Sequence, residues 1–183
     1  MHRQHRKVAA HATTPEGIRN AVEAGVDSIE HCDDADRATL ELMKKRGTFL
    51  VSTVGIIYAM RDDATTDRGR TFVDNRIAIM RRTLIMAREI GVKITGGMDA
   101  SEDYLQGENA RQLTGIVALG MPPIDAIRSQ TVNAAELLGW SDRVGAIAAG
   151  RFGDVIAVDG DPLADISRLR HVTFVMKGGV VVR

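Results

Sequence analysis

Apolar and polar positions along the chain follow two rhythms. The short apolar runs "KVAAHA", "VDSIEHC", "TFLVSTV" and "VKITGGMDA" are too brief for stable helices and predict strands. The segments between them repeat apolar residues at helical spacing. "TTPEGIRNAVEAG" predicts a helix in which Thr13 and Glu16 form a capping box, Pro15 sits in the first turn and Gly25 supplies the stop. Its apolar stripe is Ile18, Ala21 and Val22. "DADRATLELMKKRG" predicts the next helix, acidic at its start and basic at its end, where Lys44, Lys45 and Arg46 precede Gly47. Polar residues from about Asp62 to Thr71 predict a loop, followed by the long helix "FVDNRIAIMRRTLIMAREIG". After the fourth strand come "NARQLTGIVALG", "PPIDAIRSQT" and "NAAELLG", all helical in pattern. Strand and helix thus alternate four times, which predicts parallel strands with helical crossovers.

The rhythm changes after Gly139. "GAIAAGRFGDVIAVDGDPLADISRLRHVTFVMKGGVVVR" holds short β-branched runs separated by Gly and Asp-Pro turns, and "VTFVMKGGVVVR" predicts a hairpin about Gly178-Gly179. The expected organisation is an α/β domain over residues 1–139 and a small β appendage over 140–183, with the boundary near Trp140.

Composition narrows the function classes. In 183 residues, Lys plus Arg equals Asp plus Glu at 24 each, so no charge imbalance points to nucleic acid or an anionic membrane. The longest uncharged apolar run, "GTFLVSTVGIIYAM", falls short of the roughly 20 residues a membrane span needs. The start, "MHRQHRK", is charged and leads into a strand with no apolar leader, and Cys32 is alone; the expectation is a cytoplasmic protein.

Parallel βα repeats gather functional side chains at the C-terminal ends of their strands. His11 falls at the end of the first strand, His31 at the end of the second and Asp99 at the end of the fourth. Neutral imidazoles and a carboxylate suit zinc or a similar divalent ion. A single strand-end histidine is more often a satisfied polar group than a ligand, and the pattern alone leaves both readings open. Glu30 and Asp33, beside His31, read as solvated loop acids rather than supporting partners, and alternation sends Glu30 to the side of its strand opposite His31. Cys32 reads as a small buried filler, His2 and His5 as solvated, and His171 as structural.

Taken together, these residues resemble a known family. "VAAHATTPEGIRNAVEAGVDSIEH" resembles the fifth and sixth strand units of the amidohydrolase superfamily, in particular its imidazolonepropionase-like and prolidase-like branch. "GGMDAS" is similar to that family's eighth-strand Gly-x-Asp, "GMPPIDAIRSQTVNAAELLG" to the helices that follow it, and the C-terminal segment to the strands of its small β domain. The resemblance implies four βα units, strands 5–8 of a TIM-like barrel, with a β appendage. The family's first-strand His-x-His pair and its fourth-strand lysine have no counterpart, and Gln106-Gly107 stands where many members have His-Gly.

The same resemblance implies that His11, His31 and Asp99 are ligands of a divalent metal, most simply zinc. Asp99 would also be the general base in hydrolysis of a C–N bond in an amide, dipeptide or cyclic amide. The alternative is a non-catalytic fragment or binding module that keeps the fold and lacks the rest of the site. Open strand edges and an apolar inner face lined by Val8, Ile29, Val51 and Ile94 lead to an expected homo-oligomer.

Overall fold

The computed structural model describes residue 4, residues 6–100 and residues 105–183; His2 and His5 lie outside them. Four strands form a parallel sheet in the order β1-β2-β3-β4: β1 is Ala9–Ala12, β2 Ser28–His31, β3 Phe49–Ser52 and β4 Ile94–Gly96. The crossovers are α1 (Pro15–Ala24), α2 (Arg37–Arg46), and the pair α3 (Val54–Asp63) and α4 (Asp67–Ile90). Beyond β4 come α5 (Arg111–Ala118), α6 (Pro123–Ser129) and α7 (Val132–Leu138). A separate antiparallel sheet, ordered β5-β6-β7, is built from Val155–Val158, Val172–Lys177 and Val180–Val181, with a 3₁₀ turn at Ile166–Arg170.

The strand register decides which side chains face the helices. Ala10, Ile29, Leu50 and Ile94 are partners across the sheet. This row meets Ile18 and Val22 of α1, Leu40 and Met43 of α2, and Leu84 and Ala87 of α4 in one buried cluster. The neighbouring row is His11, Glu30, Val51 and Thr95, which alternation turns to the other face. The sequence places Ile29, Val51 and Ile94, together with Val8, on one exposed apolar face, and here the expectation fails. Ile29 and Ile94 point into the helix layer, and these two and Val51 are buried. The opposite row is largely polar.

Local signals explain most element ends. Thr14 rather than Thr13 caps α1, its hydroxyl accepting from Gly17 N at 3.3 Å, and Gly25 closes the helix at φ 86°. Asp36 caps α2 by accepting from Thr39 N at 2.7 Å. The predicted loop at 62–71 is mostly helical: α3 runs to Asp63 and α4 begins at Asp67, where Thr66 accepts from Gly69 N. Its polarity belongs to the solvated faces of two helix ends, tied by Arg61–Asp74 at 2.5 Å. α3 itself begins at Val54, which the sequence pattern assigns to a strand. It is held by packing of Gly55, Ile57 and Ala59 rather than by its own cap.

The N-terminal ends of the strands are stapled by polar contacts. Asp27 accepts from Val8 N at 2.7 Å and pairs with Lys7, Thr48 donates to Val26 O, and Arg46 donates to Val22 O and Glu23 O. Among the described residues no helix is long and apolar enough to cross a membrane.

Candidate functional site

The other end of the sheet carries the chemistry-bearing groups. His11 on β1 is exposed and His31 at the end of β2 is buried, and their rings meet edge to face with centroids 4.4 Å apart. Register alone would keep them apart, because His11 pairs with Glu30 and His31 with Ala12, so alternation sends the two imidazoles to opposite faces. The backbone resolves this by leaving the strand conformation: His31 has φ 70° and Cys32 has φ 52°. Asp99, two residues beyond Gly97, has φ 56°. Non-glycine residues rarely adopt this left-handed region, which costs about 1–3 kcal/mol each and concentrates at functional sites. Three of the four such residues among those described lie at these strand ends.

Electrostatics couple the groups. Burial first, and the nearby His11 second, hold the His31 imidazole below its ordinary pKa, while Asp99 and Asp33 pull it the other way. Low pKa favours the neutral ring, the form that offers a lone pair. Burial raises the Glu30 carboxyl above its ordinary value, with Asp99 adding to the rise and the Ser28 hydroxyl, 2.7 Å from Glu30 Oε1, opposing it. Glu30 therefore lies on the His11 side of the sheet within electrostatic reach of Asp99, not on a remote face. Burial pushes the Cys32 thiol up, as a filler residue requires.

Asp33 is not a solvated loop acid. It is buried, its Oδ2 accepts from Arg76 Nε of α4 at 2.8 Å, and its Oδ1 is buried with no hydrogen-bond partner among the described residues. With His11, Thr13, Phe72, Asn75 and Arg76 it lines an open cleft of about 520 Å³. His31 Nδ1 lies 2.7 Å from Thr53 Oγ1 at the exit of β3. Thr53 stands at its strand end just as the histidines do, so position could have flagged it. Arg76 arrives from a distant helix and leaves no local signal. Gly107, beside Gln106, lines a different crevice with Glu108 and Arg170, and His171 is an exposed residue ending the 3₁₀ turn. Among the described residues no group of three or more His, Cys, Asp or Glu side chains forms a ready-made metal cage; the close pair is His11 with His31.

Comparison with known proteins places this architecture. Ochratoxinase of Aspergillus niger is 32% identical over 189 aligned residues, which cover 97% of this chain and 38% of that protein. Imidazolonepropionase of Kosmotoga olearia is 27% identical, covering 88% of this chain and 37% of that protein. The crystal structure of a Xaa-Pro dipeptidase with bound methionine superposes at TM-score 0.88 with 34% identity, over all of this chain and 46% of that one. The chain thus spans less than half the length of these relatives. The family model for amidohydrolases matches residues 1–182, and the protein belongs to the amidohydrolase family.

Proposed function

We propose that the protein acts as a metal-dependent hydrolase of C–N bonds, with a substrate drawn from amides, dipeptides or cyclic amides. One observation carries this reading: two imidazoles from adjacent parallel strands in ring contact, under strained backbone, in a chain of this family. The similar proteins named above include a dipeptidase and an ochratoxinase.

Two imidazole nitrogens with a carboxylate at hand are a donor set that zinc accepts. His11 and His31 would hold the ion and Asp99 would complete the set. When bound, such an ion polarises an amide carbonyl and makes water a nucleophile near neutral pH. The Asp99 carboxylate would take the proton of the attacking water and pass it to the leaving nitrogen. The cleft beside His11 would receive the substrate, with Phe72 as its apolar wall.

The parallel order β1-β2-β3-β4, with helices on one face, supports reading residues 1–139 as four βα units of a barrel and 140–183 as an appendage. Edge strands β1 and β4 and the exposed Val180, Val181 and Val182 support self-association.

The test is metal content by elemental analysis, followed by turnover of N-acyl amino acids and dipeptides. Zinc should co-purify, and His11→Ala should lose it while His171→Ala keeps it. Asp99→Asn should retain metal and lose about 10²–10⁴-fold in rate. Equal metal in both histidine variants would remove the ligand assignment. A metal-replete chain without turnover on any such substrate would favour the non-catalytic reading.

A further inference from the structure

Thr53 touches His31 from outside the donor set. Its Oγ1 lies 2.7 Å from His31 Nδ1, and both residues are buried, at 3% and 8% exposure. Thr53 occupies the N-cap position of α3 yet makes no cap bond to that helix, so its hydroxyl is not spent on the backbone. The turn that carries it is pinned on both sides. Gln112, fully buried on α5, donates from Nε2 to Ser52 O at 2.7 Å, and its Oε1 accepts from Gly55 N at 2.7 Å. Ser52 O also accepts from Gly97 N at 3.0 Å, which ties the turn to the exit of β4. The residues before and after Thr53 are therefore fixed, and the hydroxyl faces the imidazole from a set direction.

A neutral imidazole carries one N–H and one lone pair, and the partner of one nitrogen decides which the other presents. We propose that Thr53 is the positioning residue of His31. Its Oγ1 accepts the Nδ1–H, which locks the ring orientation and leaves the Nε2 lone pair for the site, while Gln112 holds Thr53 in place through Ser52 and Gly55. The purpose of this device rests on the hydrolase reading, but its existence does not. If the hydroxyl donated instead, the proton would sit on Nε2 and the nitrogen left for the site would be blocked.

The experiment is long-range ¹H–¹⁵N correlation NMR on metal-free, ¹⁵N-histidine-labelled protein above pH 8, with His31 assigned from a His31→Gln spectrum. In the wild type, Nδ1 should resonate as a protonated ring nitrogen and Nε2 as a bare one. Thr53→Val, which keeps shape and removes the hydroxyl, should move both resonances toward tautomer averaging or exchange them, and Thr53→Ser should restore the wild-type pair. A wild-type His31 protonated on Nε2 would overturn the proposal, and so would a Thr53→Val spectrum identical to wild type. Should Thr53→Val fail to fold, the wild-type and Thr53→Ser spectra still decide. In a separate chelator competition, Thr53→Val should weaken zinc binding by about 10–100-fold. The expected tautomers without any zinc uptake would refute the metal reading and leave the positioning role standing.

Discussion

Gln112→Leu should destabilise the protein far more than a surface exchange would. Gln112 is completely buried and is not part of any strand, yet it joins α5 to the exit of β3 and the start of α3. Leucine matches its bulk and removes both polar atoms. Gly55 N then loses its acceptor in the first turn of a helix with no cap of its own, and Ser52 O loses one of its two donors. Orphaning Gly55 N costs about 1–3 kcal/mol, and the bond lost at Ser52 O, which keeps Gly97 N, adds about 0.5–1.5 kcal/mol, so the two together cost roughly 2–4 kcal/mol. The added apolar contact returns about 1 kcal/mol, leaving a net loss of ~2 kcal/mol. At roughly 2–4 °C per kcal/mol for a chain of this size, Tm should fall by about 4–8 °C. Urea and thermal unfolding followed by far-ultraviolet circular dichroism measure both quantities. Thr114→Ala, on the same helix, removes only a bond to the nearby Arg111 O and serves as the control. A loss below ~1 kcal/mol for Gln112→Leu, with an unchanged urea slope, would refute the view that this side chain holds the turn.

Three further outcomes follow from local geometry. Gly55→Ala should cost about 1–3 kcal/mol, because its Cβ would lie 2.7 Å from Met98 Sδ and 2.8 Å from Gln112 N; unchanged urea midpoints would contradict this close approach. Asp36→Ala should cost ~1 kcal/mol at neutral pH through loss of the α2 cap. The backbone bond from Thr39 holds the Asp36 carboxyl below its ordinary pKa, so its contribution is full above the unfolded value and fades as pH falls through the folded one. The gap between wild type and Asp36→Ala should therefore narrow below roughly pH 4, and a gap that widens there would contradict the sign. Arg76→Met should cost about 1–3 kcal/mol, because the buried Asp33 carboxylate loses its cation while the Arg76 side is partly open to water; an unaltered unfolding midpoint would show that the pair is not needed.

Much of the fold is legible in the sequence because βα repeats announce themselves through local chemistry. Pro15, Gly25 and Gly47 and the apolar rows of β1 to β4 all act within a few residues of where they stand. What escaped is what depends on contact at a distance. α3 exists because α5 and α4 pack on it, and Gln112 lies 57 residues from the Gly55 it binds. The burial of Asp33 depends on Arg76, 43 residues away. Strand-end position marks His11, His31 and Asp99 as candidates, and of these the structure brings His11 and His31 into ring contact. The left-handed backbone that turns His31 toward His11 breaks the alternation from which the facing of Glu30 was inferred.

The staples among Lys7, Val8, Asp27, Arg46 and Thr48 sit at one end of the sheet, and the strained residues at the other. Such a division of labour makes the molecule modular to mutation. Residues at the stapled end can be exchanged to raise or lower robustness without moving the paired imidazoles. The loops at the opposite end are free to vary in length and chemistry while the strand register is kept. A lineage built on this plan can alter the chemistry of one end by changing a few loop residues and regain the lost stability at the far end, the two changes arriving in either order.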